Sequence, residues 1–197
     1  MTTSEPWYQV VAADEKLTQG DLVFNCPLLS WSPNPFQMSD LSEVEVLKQA
    51  VTAFKADVIV MTQACDLEHA KVRNVVLCPH LALSSFRASW KRAMEQGGQN
   101  PTEKAWRNTC NDIADGYVWN QAFLNSCSLG EGDLRTELRV VDFQDIFTVP
   151  RTFLEALLAR RLAHRLRLLP PYREHISQAF ARFFMRVGLP QPLSREW

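Results

Sequence analysis

One stretch of the chain, Val58-Ile-Val-Met-Thr-Gln-Ala-Cys-Asp-Leu67, constrains the fold more than any other. It opens with an apolar run that is mostly β-branched, and this composition favours a strand packed on both faces of a sheet. Because a rigid strand positions the loop that follows it, we expect a binding site at the end of this strand. The polar side chains expected to form it are Gln63, Cys65, Asp66 and His69.

The size and composition of the chain predict a single domain over residues 1–197. With 197 residues, 46% of them hydrophobic and 22% charged, the chain can bury a core and is too apolar for a disordered protein. The net charge is -1, so the molecule as a whole has no electrostatic attraction to nucleic acid or to an anionic membrane. Contact with RNA would need a local basic patch.

The first residues and the cysteines indicate a cytoplasmic protein. The N-terminus has neither the basic start nor the apolar stretch of a signal peptide, and no apolar run is long enough to span a membrane. An odd number of irregularly spaced cysteines favours free thiols over a disulfide framework. We therefore expect no membrane contact and no cofactor.

Strand-like segments alternate with helical ones, which predicts an α+β fold. Strands are expected over residues 20–29, 58–61, 74–78, 123–127, 137–143 and 146–149, with a short edge strand at 166–169. Residues 40–56 are ambiguous, because Asp40 and Glu43 match a capping box while the following residues alternate like a strand. We favour a strand there, in a hairpin with residues 57–63, and a second hairpin between 58–61 and 74–78.

Helices are predicted in two places. Residues 84–97 and 101–115 form a helical insertion over 84–116, with Gly97 and Pro101 at the stop of one helix and the start of the next. A C-terminal helical part spans residues 151–190. It contains a helix at 151–164 and a terminal helix whose apolar stripe, including Ile176 and Phe180, should dock on the sheet.

Two motifs resemble a group of largely uncharacterised bacterial proteins. They are Thr62-Gln-Ala-Cys-Asp-Leu67, a TQxCDL strand end, and the terminal helix Pro171-Tyr-Arg-Glu-His-Ile-Ser-Gln-Ala-Phe-Ala-Arg-Phe-Phe-Met-Arg-Val-Gly-Leu-Pro190. The resemblance covers the strand pattern of residues 20–80 and the end of the chain. It does not cover the helical insertion.

The succession of strands is more distantly similar to the PemK/MazF toxins. The matching segments are Gly20-Asp-Leu-Val-Phe24, Val58-Ile-Val-Met61 and Val75-Val-Leu-Cys-Pro79. The resemblance implies an SH3-like β-barrel core with strands in residues 20–80 and 120–150. Family members that are active cut single-stranded RNA without a metal, and the positions matching their catalytic residues carry Lys55 and either Ser84 or Ser85. The family has an arginine where this chain has Lys55, and lysine lacks the bidentate phosphate contact of arginine.

The Cys65 turn allows three chemical interpretations. Cys65 with Asp66 and His69 matches a thiol nucleophile with a base, although a carboxylate next to a thiol raises its pKa. Cys65, His69, Cys78 and His80 are numerically sufficient for tetrahedral zinc, but their spacing matches no common zinc motif. We favour the third interpretation, in which Cys65 packs as a small apolar side chain while Gln63 and Asp66 hydrogen-bond backbone groups that the turn leaves open. No metal is expected.

Arginines are concentrated towards the C-terminus. Arg173, Arg182 and Arg186 lie on the terminal helix, and further arginines, Arg160, Arg161, Arg165 and Arg167, precede it. Such a cluster suits a phosphate or an acidic partner, and it is equally typical of a solvated helix face. Three aromatic residues, Trp31, Phe36 and Trp90, would line a binding surface or, as we favour, belong to the core.

These observations favour a non-catalytic binding or regulatory subunit with a protein partner. The toxin resemblance implies an accessory role in a bacterial stress or antiviral defence system. The alternative is an endoribonuclease of PemK/MazF type that uses Lys55 with Ser84 or Ser85 and holds RNA with the arginine cluster. A cysteine or zinc hydrolase centred on Cys65 is a third, weaker hypothesis.

Overall fold

A computed structural model describes residues 6–32, 42–129 and 134–185. Its strands are β1 (Tyr8–Val11), β2 (Asp21–Trp31), β3 (Val51–Val60), β4 (Asn74–Ala82), β5 (Gln121–Leu124), β6 (Arg139–Asp142), β7 (Phe147–Pro150) and β8 (Arg165–Leu168). Its helices are α1 (Glu43–Ala50), α2 (Ala64–Glu68), α3 (Leu83–Gln96), α4 (Glu103–Ala114), α5 (Arg151–Arg161) and α6 (Tyr172–Phe184). None of the helices in these ranges combines the length and apolar character that crossing a membrane requires.

The strands form one antiparallel sheet with the order β1-β8-β2-β3-β4-β6-β5. β7 also pairs with β4. It pairs with the first residues of β4 and β6 with the last ones, so these two short strands follow each other along one edge of β4. The predicted α+β class is confirmed. The sheet is open in the described residues, with β1 and β5 at its two ends, and the predicted closed SH3-like barrel is therefore not confirmed.

The sheet has an apolar core on each face. Side chains of β3 alternate between them, because successive residues of a strand point to opposite faces. Ile59 belongs to the inner core, which α6 covers, whereas Val58 and Val60 belong to the outer core, which α5 covers with Leu154 and Leu158. The long apolar run at the centre of the sequence is thus explained by burial on both sides.

Helix α6 docks across the inner face and brings the two ends of the sheet together. Ile176 is buried in the inner core, and the Phe180 ring packs edge-on against Phe143 with centroids 5.7 Å apart. At the β1 end, Tyr8 donates a hydrogen bond of 2.8 Å to the carbonyl of Asn125, which follows β5. The sheet therefore curls around α6 without closing by strand pairing.

One predicted element is wrong. Residues 43–50 form helix α1, not a strand, and β3 pairs with β2 over most of its length. The helix begins with a capping box formed by Ser42 and Glu45. The Glu45 amide donates to the Ser42 hydroxyl, and the Ser42 amide donates to the Glu45 carboxylate. The Asp40 of the alternative box lies outside the described residues. Capping therefore outweighs the short alternation of valines.

Other elements are where the sequence places them. The β3–β4 hairpin, the two insertion helices, the helix after Pro150 and the docked terminal helix are confirmed, with α2 forming part of the hairpin connection. The strand expected at 166–169 is not at an edge. As β8 it lies between β1 and β2, so the C-terminal part of the chain completes the sheet.

The pairing of β8 depends on a buried carboxylate. Asp21, at the start of β2, is fully buried and receives hydrogen bonds from Arg165 Nε at 2.8 Å and Arg167 Nε at 2.5 Å. Arg165 also donates to the backbone carbonyls of Ala12, Glu15 and Lys16. The carboxylate thus joins β2 to β8 and fixes the segment that connects β1 to β2.

Replacing this carboxylate should strongly destabilise the fold. In Asp21→Asn the guanidinium of Arg165 stays buried without a counter-charge, and breaking a buried ion pair in this way costs about 3–5 kcal/mol. Urea unfolding measures the loss. Asp14→Asn, at an exposed position near the same segment, should change stability by no more than about 0.5 kcal/mol. Equal stability of the two variants would contradict this role of Asp21.

Candidate functional site

The turn after β3, where the sequence predicts a site, is exposed and holds few side-chain contacts. Cys65 and His69 are both exposed, and no hydrogen bond joins their side chains in the described residues. The Cys65 thiol lies 3.8 Å from Gln63 Oε1 and from Asp66 Oδ1. The interpretation of Cys65 as a packed apolar side chain is therefore wrong. The buried polar contact here is made by Thr62, whose Oγ1 accepts a 2.7 Å hydrogen bond from the Val76 amide.

The four residues of the zinc hypothesis are not brought together. Cys78 is buried in the inner core, and His80 accepts a hydrogen bond from an arginine, while Cys65 and His69 are exposed on the α2 turn. Within the three described ranges, no three His, Cys, Asp or Glu side chains are grouped closely enough to hold a metal ion.

The arginines of the terminal helix make separate contacts. Arg173 forms an ion pair with its neighbour Glu174, and Arg182 donates a 3.0 Å hydrogen bond to the carbonyl of Gly116. An added Cβ at Gly116 would lie only 2.8 Å from Arg182 Nη2, so a side chain there would require the guanidinium to shift. Arg186 lies outside the described residues. Among the described members, Arg182 connects α6 to the turn after α4, whereas the ion pair of Arg173 stays within α6.

The residues matched to the toxin family lie towards one end of the sheet. Lys55 is exposed on β3, in the half that precedes its pairing with β4. Ser84 and Ser85 are exposed in the first turn of α3, directly after β4. The Ser84 amide and hydroxyl both bond the carboxylate of Glu137, at 3.1 and 2.7 Å. Glu137 therefore caps this helix from a distant part of the chain.

A bulge in β2 forms the centre of a second candidate site. The β2–β3 register shifts between Val23 and Cys26, and Asn25 has a φ of 50°. Its amide donates a 2.8 Å hydrogen bond to Asp57 Oδ1 on β3. From the other side, Arg161 at the end of α5 donates to the carbonyls of Phe24 and Asn25, each at 2.6 Å. Side chains from two elements thus satisfy the polar groups that the bulge leaves unpaired.

Beside this bulge lies a cleft of about 410 Å³, which we name the bulge cleft. This volume is within the usual range of small-molecule sites. Its lining residues are Leu22, Val23, Phe24, Asn25, Lys55, Leu134, Leu158, Arg161, Ala163, His164 and Arg165. Among the described residues, the lining combines apolar side chains with basic ones and contains no aspartate or glutamate.

The basic side chains of the bulge cleft differ in how their charge is balanced. Arg165 is paired with Asp21. Arg161 is bonded to backbone carbonyls, which do not cancel its charge. Lys55 and His164 are exposed and take part in no ion pair within the ranges that the structure describes. The cleft therefore offers the positive charges of Lys55 and Arg161 to an anion, with the imidazole of His164 beside them.

Two residues with unusual backbone conformation flank the bulge cleft. Asn25 and Leu162 both have a φ of 50°, in the left-handed region. Asparagine tolerates this region, whereas for leucine it costs about 1–2 kcal/mol. Leu162 ends α5 at the position where glycine is usual, and its side chain is 80% exposed. Strained residues of this kind cluster at functional sites.

Behind the bulge lies a buried polar array on the inner face. Arg139, on β6, forms an ion pair with Asp57 and donates from Nε to His80 Nδ1 at 2.6 Å. Its guanidinium carbon lies 5.3 Å from the centre of the Phe24 ring, which also meets His80 edge-on at 5.7 Å. The array therefore links the two residues next to the bulge, Phe24 and Asp57, to β4 and β6.

Burial keeps His80 neutral. Desolvation lowers the pKa of His80 well below 6.5, and the neighbouring charge of Arg139 lowers it further, against a smaller opposite effect of the Val58 backbone. His80 Nε2 is buried and makes no hydrogen bond of normal geometry. A neutral imidazole suits this place, because Nδ1 must accept from Arg139.

The lowered pKa of His80 predicts a loss of stability in mild acid. Below pH 6.5 the unfolded chain binds a proton that folded His80 does not, so the free energy of unfolding should fall by up to about 1.4 kcal/mol per pH unit. Urea unfolding between pH 7.5 and 5.5 measures this slope. His80→Asn should flatten it, and His69→Asn, at an exposed site, should not. An unchanged slope in His80→Asn would exclude His80 as its source.

Several residues of this site were missed by the sequence analysis. Asp57 directly precedes the apolar run at Val58, and Arg139 directly precedes two buried valines, so that a charge next to buried residues signals a buried partner. The sequence pattern indicates His80 only as a zinc ligand, and it offers no paired residue for His164, which favours a structural role over a catalytic one. The contacts of these residues join positions far apart in the sequence, and the local sequence pattern gives no indication of them.

Comparison with protein-family models finds no match, and comparison with the curated proteins finds none either.

Proposed function

We propose that the protein is a non-catalytic binding or regulatory subunit that binds another protein through the exposed face of its β2–β3 ribbon. This ribbon consists of residues 27–31 of β2 and 51–55 of β3. An accessory role in a bacterial stress or antiviral defence system is part of the proposal, and the sequence resemblance to PemK/MazF supports it. One observation carries the proposal, the exposure of large apolar side chains on this ribbon.

The ribbon extends beyond the rest of the sheet. β8 pairs with β2 only at Asp21 and Leu22, and β4 pairs with β3 only over the last residues of β3. Residues 27–31 and 51–55 are therefore bonded to each other and to no further strand in the described residues. Other elements can therefore pack against either face of the ribbon.

Within the described residues, packing covers only one of these faces. Leu28 and Phe54 pair across the ribbon and pack in the outer core, where the Phe54 ring meets Phe147 at 5.5 Å. On the opposite face, Leu29 is 64% exposed and Trp31 is 66% exposed. The preference for Trp31 as a core residue is therefore wrong. Neighbouring apolar side chains exposed on one face are typical of a protein contact surface.

The charge next to this face defines the chemistry of the partner. Lys55 lies opposite Pro27 on the same face as Leu29 and Trp31, since these positions are two residues apart along their strands. Arg161 and His164 lie near Lys55, in the lining of the bulge cleft. We propose a partner segment that presents apolar side chains to Leu29 and Trp31 and an acidic group to Lys55.

The state of the candidate nucleophiles supports a non-catalytic role. Ser84 is bonded through its amide and hydroxyl to Glu137, and Cys65 has no histidine bonded to it in the described residues. An activated serine or cysteine needs a base within hydrogen-bond reach. A binding function uses only the exposed side chains described above.

Site-specific crosslinking in cells tests the proposal. A photoreactive phenylalanine analogue at position 29 should form a crosslink to a protein, because this position lies in the middle of the proposed contact face. The same analogue at position 117, where Tyr117 is 72% exposed elsewhere on the molecule, is the matched control. We expect the crosslink at 29 to be lost in Trp31→Ser and weakened at high salt.

Three results would contradict this proposal. They are a crosslink from position 29 to residues 33–41 of the same chain, a crosslink to nucleic acid alone, or equal crosslinking from both positions. Circular dichroism of Trp31→Ser should match the wild type, since Trp31 is mostly exposed.

A second candidate function is RNA cleavage, which the sequence resemblance implies. The specific observation in its favour is that Lys55 and Ser84 lie towards the same end of the sheet, at the start of β3 and after the end of β4. In that function Lys55 would hold a phosphate, and Ser84 would have to leave Glu137.

Sequencing of RNA 5′ ends in a bacterial host separates the two functions. For a binding subunit, we expect the same RNA ends with the wild type, with Lys55→Ala and without the protein, together with normal growth. New ends that appear with the wild type and vanish in Lys55→Ala would overturn the non-catalytic proposal. Lys104→Ala, an exposed lysine on α4, controls for the loss of one positive charge.

A further inference from the structure

We propose that the bulge cleft binds a nucleotide, with the phosphate against the basic side chains and the base against the apolar ones. This ligand goes beyond the proposed protein partner, and its site around the β2 bulge shares Lys55 with the proposed protein surface. The proposal rests on the charge of the cleft, its half-buried apolar side chains and the hydrogen bonds that hold its backbone.

The charge of the cleft selects an anion. Lys55, Arg161 and His164 come from β3, from α5 and from the turn after α5, and the described lining that brings them together contains no acidic residue. Surface lysines and arginines are usually balanced by nearby carboxylates, and here Lys55 has no such partner in the described part of the chain. Phosphate, with its negative charge and several acceptor oxygens, fits these donors.

The remaining lining selects a ligand with an apolar part. Phe24 and Leu134, which are half-buried, contribute apolar surface beside the basic side chains, and Asn25 adds a side-chain amide. An inorganic ion would leave this surface unused. The purine ring of a nucleotide would cover it, and the volume of about 410 Å³ is within the range of small-ligand sites.

The backbone around the cleft is fixed before a ligand arrives. Asp57 holds the amide of Asn25, and Arg161 holds the carbonyls of Phe24 and Asn25. Arg161 is therefore a positioning residue as well as a positive charge. A preformed site loses less conformational entropy on binding, which favours affinity for a small ligand.

Calorimetric titration of the full chain with four ligands tests the proposal. AMP and ADP are the nucleotides, inorganic phosphate represents the anion alone, and adenosine represents the apolar part alone. We expect saturable binding of AMP or ADP, with phosphate and adenosine each at least about tenfold weaker, because each fills part of the cleft. Lys55→Ala and His164→Ala should weaken nucleotide binding by a similar factor, and Lys104→Ala should leave it unchanged.

Each other outcome overturns the proposal. Phosphate that binds as tightly as AMP would show a simple anion site. Nucleotide binding that survives both Lys55→Ala and His164→Ala would place the ligand elsewhere, and absence of binding would show no nucleotide site at all. Both replaced side chains are exposed, so unchanged thermal unfolding without ligand should confirm that the variants are folded.

The nucleotide site and the protein surface can fail independently. Trp31→Ser should abolish the crosslink from position 29 and leave nucleotide affinity unchanged, because Trp31 does not line the cleft. His164→Ala should weaken nucleotide binding and leave the crosslink from position 29 unchanged. Loss of both functions in each variant would contradict the assignment of two separate ligands.

Discussion

The carboxylate of Asp21 is the contact on which the arrangement of this sheet depends. It is fully buried at the start of β2 and is bonded to Arg165 and Arg167 of β8. A buried charge is tolerated only when it is paired and hydrogen-bonded, so β2 and β8 must lie side by side. This pairing places β8, from the C-terminal part of the chain, between β1 and β2 and leads directly to the docking of α6.

The same principle operates at the bulge of β2. An extra residue in a strand leaves backbone groups without partners, and here Asp57 and Arg161 supply them from two sides. Because Asp57 is also paired with Arg139, which bonds His80, the bulge is connected to a buried polar array. The bulge cleft is thus formed by rigid elements, which favours a binding role for its exposed basic side chains.

The proposed protein surface and the proposed nucleotide site are neighbours along the β2–β3 ribbon. Lys55 borders both, since it lines the bulge cleft and shares a face with Leu29 and Trp31. Occupation of one site therefore changes the electrostatic environment of the other. In this arrangement a nucleotide would affect partner binding through direct competition for Lys55, without a conformational change.

The sequence by itself determined the elements whose signals are local. The apolar run at Val58 predicts a doubly buried strand, and Gly97 and Pro101 separate two helices, because periodicity and backbone preference act within a few residues. The helix at residues 43–50 was predicted as a strand because capping by Ser42 and Glu45 competes with a short alternation of valines. Only the tertiary structure decided the candidate site. Asp57, Arg139, Arg161 and His164 are brought together by strand order and by α5, and contacts between residues so far apart in sequence depend on long-range packing that no local pattern encodes.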